Sequence, residues 1–157
     1  MNKQLTKDVI GRVEPVTFPE IGIGEVFARV DTGAKTSAIW VSSAQIVAGK
    51  LHVIFLGEDH PEYSSQVQIF DKFASVVVSS SNGQSEKRYK VKILIKIAGK
   101  NIRATFTLAD RQTQVYPVLV GRNILRGKFV VDVKLGTPLI QREKDRSQSL
   151  QSQLTEK

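Results

Sequence analysis

Apolar and polar residues alternate with a period of two along most of this chain, the spacing at which successive side chains of an extended strand point to opposite faces. Val91, Ile93, Ile95 and Ile97 interleave with Lys90, Lys92, Leu94 and Lys96, which predicts a strand with one buried face and one mainly basic, exposed face. Ala98-Gly99-Lys100-Asn101 then turns the chain, and Ile102, Ala104, Phe106 and Leu108 continue the buried set. A second hairpin joins Ala44 to Val47 with Leu51 to Leu56 through Gly49-Lys50. Asn82-Gly83 is the strongest two-residue hairpin signal, because both residues accept positive φ. Only Arg122 to Arg126 looks helical, and it is short. The pattern predicts an all-β closed or nearly closed barrel with many hairpins and one short C-terminal helix. Residues 141–157, with serines, glutamines, mixed charges and little apolar content, read as a flexible tail.

Composition adds bounds. At 157 residues and 41% hydrophobic, the chain can bury one sizeable core, so a single domain is expected. No apolar run reaches the roughly 18 residues that span a bilayer, and Met1 to Asp8 lacks the apolar core of a secretory signal, so no membrane partner and a cytoplasmic location are expected. Without cysteine there is no disulfide framework and no thiolate nucleophile or metal ligand. A net charge of +8 favours acidic partners, which include RNA as well as acidic peptides. Aromatic residues make up only 7%, and Tyr89, Phe106 and Phe129 fit core or flap positions better than base-stacking ones, so the acidic peptide is preferred.

The candidate chemistry lies at Asp31-Thr32-Gly33-Ala34, which ends the alternating run from Glu25 to Val30. Asp-x-Gly is ordinary turn chemistry, but it also suits a carboxylate held rigidly beside a second one: Thr32 can hydrogen-bond locally, and Gly33 admits a close backbone approach. Two carboxylates sharing one proton activate water and polarise a scissile carbonyl. The chain has one such motif, since Asp132 is followed by Val133-Lys134. An active form must therefore be a homodimer in which Asp31 of each subunit meets its twin, and the bland alternative is a monomeric barrel in which Asp31 caps a turn.

Three motifs in order carry a resemblance: Asp31 to Ala34, the Asn82-Gly83 hairpin, and Leu119-Val120-Gly121-Arg122-Asn123 opening a short helix. The chain resembles retropepsin-type aspartic proteases. Over about Gly11 to Leu139 it is similar to a bacterial retropepsin-like family often labelled ATP-dependent zinc proteases and linked to an ATP-grasp ligase that adds glutamates to a ribosomal protein. Ala28 to Ala38, Ser80 to Gly83 with Glu86, Arg88 and Tyr89, then Gly121 to Gly127 and Phe129 to Asp132 carry that likeness. The resemblance implies a retropepsin-like domain over residues 11–140, after an N-terminal extension at 1–10. It implies catalysis by Asp31 with Thr32 and Gly33 holding the carboxylates, and a flap of Ser80, Ser81, Asn82 and Gly83 closing over substrate. It also implies poly-glutamate tails as substrate.

Departures from the viral pattern matter here. Viral enzymes follow the motif with two acids, one of which pairs with the arginine after the late glycine, whereas this chain has Lys35 and Thr36. Arg122 either finds another acid, such as Glu86 or Asp110, or joins Lys35 and Arg88, with Arg111 and Arg126 nearby, in selecting acidic residues beside Ala34. A catalytic zinc is not supported by His52 and His60 alone, His60 being read as part of a solvated loop, and Gly33-Ala34-Lys35-Thr36 lacks the upstream glycine of a phosphate loop, so no metal and no cofactor are expected. The alternatives are a non-catalytic dimer that binds acidic peptides and an RNA-binding basic barrel.

Overall fold

The computed structural model describes residues 7–79 and 82–155. Eleven strands run in chain order as β1 (Asp8–Ile10), β2 (Val13–Phe18), β3 (Ile23–Val30), β4 (Ser37–Val47), β5 (Lys50–Phe55), β6 (Val67–Phe70), β7 (Ala74–Ser79), β8 (Ser85–Ile97), β9 (Lys100–Ala109), β10 (Val118–Val120) and β11 (Phe129–Val131). A 3-10 turn, Pro19–Ile21, links β2 to β3; helix α1 (Arg122–Leu125) follows β10 and helix α2 (Ile140–Thr155) ends the described chain.

Six strands close a ring in the order β10, β3, β2, β8, β9, β4 and back to β10. The short β10 makes the closure, because it pairs parallel with β3 and antiparallel with β4. A closed ring leaves no unpaired sheet edge inside the barrel. Its interior is the apolar face read from the sequence: Val91, Ile93, Ile95 and Ile97 of β8 are buried, as are Ile102, Ala104, Phe106 and Leu108 of β9. The register sets Val91 against Phe106 and Ile95 against Ile102, and Phe18 packs edge-on to Phe106 at 5.5 Å between ring centres. The all-β closed barrel expected from the pattern is the fold observed. No described helix is long and apolar enough to cross a membrane.

The turns differ in detail. In two hairpins the two-residue turn is Ala-Gly, with Ala48 at φ 51 and Gly49 at φ 78, and Ala98 at φ 48 and Gly99 at φ 77. The first turn is thus one residue earlier than Gly49-Lys50, since Lys50 already pairs with Val47. Between β7 and β8, Ser79 pairs with Ser85, and only Gly83 of the Asn82-Gly83 pair takes positive φ. The Asn82 side chain instead accepts the N–H of Gln84 at 3.2 Å. Ser80 and Ser81 lie outside the described residues.

A larger difference is α2, which occupies the segment that composition reads as a tail. Gln, Arg, Glu and Lys lose little rotamer freedom in a helix, and Gln141 bonds Asp145 one turn on at 2.9 Å. Its tether to the barrel is polar rather than apolar, and apolar content does not report such a tether: Glu143 in the first turn is bound by Arg12, which precedes β2. Leu150 and Leu154 stay exposed.

Candidate active site

Asp31 follows the last residue of β3. Its N–H donates to the Val120 carbonyl at 2.9 Å, extending the parallel β3/β10 ladder by one bond. One carboxylate oxygen, Oδ1, accepts the Gly33 N–H at 2.9 Å, and the Ala34 N–H reaches the Asp31 carbonyl at 3.3 Å. A side chain at Gly33 would bring a Cβ to 3.3 Å from that same oxygen. The half-buried carboxylate is therefore pinned at one oxygen on a tight turn whose Thr32 and Gly33 are exposed.

The late motif braces this turn. Arg122 donates from Nη1 to the carbonyls of Thr32 at 3.2 Å and Gly33 at 2.9 Å, and its N–H donates to the Ala34 carbonyl at 2.8 Å. No ion pair among the described residues includes Arg122; its partners are backbone oxygens, so it positions the Asp31 loop. Behind it, Ser37 is wholly buried; its hydroxyl accepts the Gly121 N–H at 2.9 Å and donates to Asn123 Oδ1 at 2.8 Å. Asn123 Oδ1 also accepts the Ser37 N–H at 3.0 Å, and its amide nitrogen donates to the Thr105 carbonyl at 2.9 Å. Gly121 must be glycine because a Cβ there would stand 2.8 Å from the Thr36 carbonyl. Four segments, β3, β4, β9 and β10–α1, are thus tied beneath one carboxylate.

The predicted cations divide between two cavities. Lys35, Arg122 and Arg126 line one with Thr32, Phe129 and Val131, on the side of β11. A second cavity, about 310 Å³, is lined by Arg12, Arg29, Arg111 and Arg146 with Tyr116 and Glu143. Arg88, on β8, belongs electrostatically with this second group. It contacts Glu86 at 3.3 Å, its Nε is buried without a partner among the described residues, and together with Arg29 it pushes Arg111 below its ordinary value, an effect to which burial contributes most. Arg29 lies on β3 two residues before Asp31, which itself stands past the end of the strand, and Thr32 of the Asp31 turn lines the other cavity. The nearness of Arg29 to Asp31 was present in the sequence. Arg12, Tyr116 and Glu143 had none, being joined across more than a hundred residues or by a helix composition did not announce.

His60 is half-buried rather than solvated: its ring lies edge-on to Trp40 at 6.4 Å, and its Nδ1 accepts the Glu62 N–H at 3.0 Å. Burial, followed by the charge of Arg142, lowers its pKa. Among the described residues no three His, Cys, Asp or Glu side chains converge.

A closed six-stranded barrel that carries an Asp-Thr-Gly turn at the end of one strand, braced by a Gly-Arg-Asn segment, defines the retropepsin-like class. The chain belongs to the RimB-like family, described as retropepsin-like aspartic endopeptidase RimB, whose model matches residues 9–142. It is 36% identical over 132 residues to a probable alpha-L-glutamate ligase of Shewanella pealeana, covering 80% of this chain and 28% of that protein. It is 31% identical over 144 residues to one of Desulfotalea psychrophila, covering 86% and 30%. The chain therefore spans less than a third of these relatives. In structure it is similar to a Legionella pneumophila protein of unknown function, with a TM-score of 0.55, 21% identity, and coverage of 83% of this chain and 97% of the other, a likeness of fold.

Proposed function

We propose that this chain is one subunit of a homodimeric aspartic endopeptidase acting on acidic, glutamate-rich peptides. The observation that carries the reading is the single Asp31 carboxylate, pinned by Gly33 on a turn braced by Arg122, with Arg29 of the arginine-lined cavity two residues upstream. With Asp31 of each subunit at a two-fold axis, the pair holds one proton. The ionised carboxylate takes a proton from water as its oxygen attacks the scissile carbonyl carbon, and the protonated one hydrogen-bonds the carbonyl oxygen. Collapse of the tetrahedral intermediate then delivers a proton to the departing amine.

A dimer is supported by β1 and β11. They form a parallel two-stranded sheet, a unit too small to be stable by itself. Val9 and Val130 face each other in its register and are 57% and 49% exposed, an apolar pair suited to burial against a second copy. Acidic substrates are supported by the arginine-lined cavity, by the net charge of +8 and by relatives named for glutamate ligation. Asp31→Asn keeps the shape of the site and removes the titrating group. It should fold and dimerise, and kcat/KM on a glutamate-rich peptide should fall about a thousandfold or more. Retained turnover in that variant would overturn the assignment.

A further inference from the structure

Glu143 is the one acid lining a cavity shared by four arginines. Its carboxylate accepts two parallel bonds from Arg12, Nη2 to Oε1 at 2.9 Å and Nη1 to Oε2 at 3.0 Å, and it also accepts the Tyr116 hydroxyl. The fork of two donors is how a guanidinium recognises a carboxylate specifically rather than as a point charge. The partners are supplied by barrel and loop, whereas the carboxylate is brought in on α2 from outside the barrel. Tyr116 is itself fixed, its hydroxyl accepting the Leu139 N–H at 3.0 Å and its carbonyl accepting Arg111 Nε at 3.0 Å.

Two observations say that Glu143 is a removable occupant. Arg146 rides on α2 with Glu143, but Arg12, Arg29 and Arg111 stay with the rest of the chain, so the cavity keeps excess positive charge, and Arg111 is depressed by burial and by Arg29 and Arg88 with Glu143 in place. The polar attachment of the helix also runs through this one side chain: Arg12–Glu143 is the one ion pair joining α2 to the barrel among the described residues, the Tyr116 hydroxyl meets the same carboxylate, and the paired side chains are 38% and 28% exposed. Arg29, on β3 two residues before Asp31, is the link in sequence between this cavity and the Asp31 turn.

We propose that the Arg12–Tyr116 cavity is a subsite for a glutamate side chain of the acidic peptide, and that Glu143 fills it in cis, so that α2 must withdraw before the peptide docks. The proposal depends on the reading of this chain as one that takes acidic peptides, and its test separates the two. The full chain carrying Asp31→Asn, so that bound peptide is not consumed, has a single tryptophan, Trp40, and no cysteine. Ser149→Cys therefore accepts one fluorescent label on α2, and energy transfer from Trp40 reports the position of the helix. Tetraglutamate should lower the transfer saturably while tetraglutamine leaves it unchanged. Glu143→Gln should lower transfer without peptide and tighten tetraglutamate binding about five- to tenfold, the range for a partly screened, charge-assisted pair. Arg12→Gln added to Glu143→Gln should weaken it again. Unchanged transfer at saturating tetraglutamate, or unchanged affinity in a Glu143→Gln protein with the parent's circular dichroism, overturns the proposal; if Glu143→Gln fails to fold, transfer in the parent decides. Turnover is read separately with Asp31 intact. Displacement without cleavage ends the peptidase reading alone, and cleavage without displacement ends this one alone.

Discussion

Replacing Ser37 with alanine removes one oxygen from the centre of the brace beneath Asp31. The hydroxyl is fully buried, accepts the Gly121 N–H at 2.9 Å and donates to Asn123 Oδ1 at 2.8 Å. In Ser37→Ala the Gly121 N–H has no acceptor in a space closed to water, whereas Asn123 Oδ1 keeps the Ser37 backbone N–H as a donor. An orphaned buried donor costs about 1–3 kcal/mol and the second bond contributes about 1 kcal/mol net, so the expected loss is about 2–4 kcal/mol. For a chain of 157 residues that is a Tm lower by roughly 4–16 °C. Gly121 precedes Arg122, which holds the Thr32 and Gly33 carbonyls, so kcat should fall with smaller change in KM. Chemical denaturation and steady-state peptidase kinetics measure the two effects. A stability loss below about 0.5 kcal/mol, the scale of an ordinary surface change, would refute the claim that this hydroxyl joins the motifs.

Ala98 sits at φ 48 beside Gly99 at φ 77, a turn that favours Asn-Gly, so Ala98→Asn should stabilise the protein by about 1 kcal/mol in the same denaturation assay. The docking of α2 should also depend on pH. Glu143 is held below the ordinary carboxyl range, chiefly by the Arg12 hydrogen bond and further by Tyr116 and Arg29, so its contribution is complete above about pH 4.3 and is lost as pH falls through the lowered value. Tyr116 is raised, first by burial and then by Glu143, so its contribution is complete below about pH 10 and is lost as pH rises through the raised value. Energy transfer from Trp40 to a label at Ser149→Cys should therefore be flat across neutral pH and fall at both extremes, and Glu143→Gln should abolish the acid limb.

The barrel was readable because its signal is local. Val91 to Ile97 and Ile102 to Leu108 each carry their own alternation, and the two faces meet in the barrel interior. Turn placement depended on register instead: Val47 with Lys50 and Ser79 with Ser85 decide which residues turn, and neither pairing is written in a dipeptide. Around Asp31 the motif residues were visible, but the role of Arg122 was not, since its acceptors are backbone carbonyls and the sequence invites a search for an acid. Arg29 could be read two residues from Asp31. Arg12 and Glu143, 131 positions apart, could not, and α2 was hidden with them because that contact rather than an apolar face attaches it.

The single Asp31 per chain makes the shared dyad the central claim, and its most direct test is activity against concentration with sedimentation on the same samples. Specific activity on a glutamate-rich peptide should follow the dimer fraction and vanish on dilution below the dissociation constant, recovering on reconcentration. A monomer that keeps full activity per subunit would contradict the account.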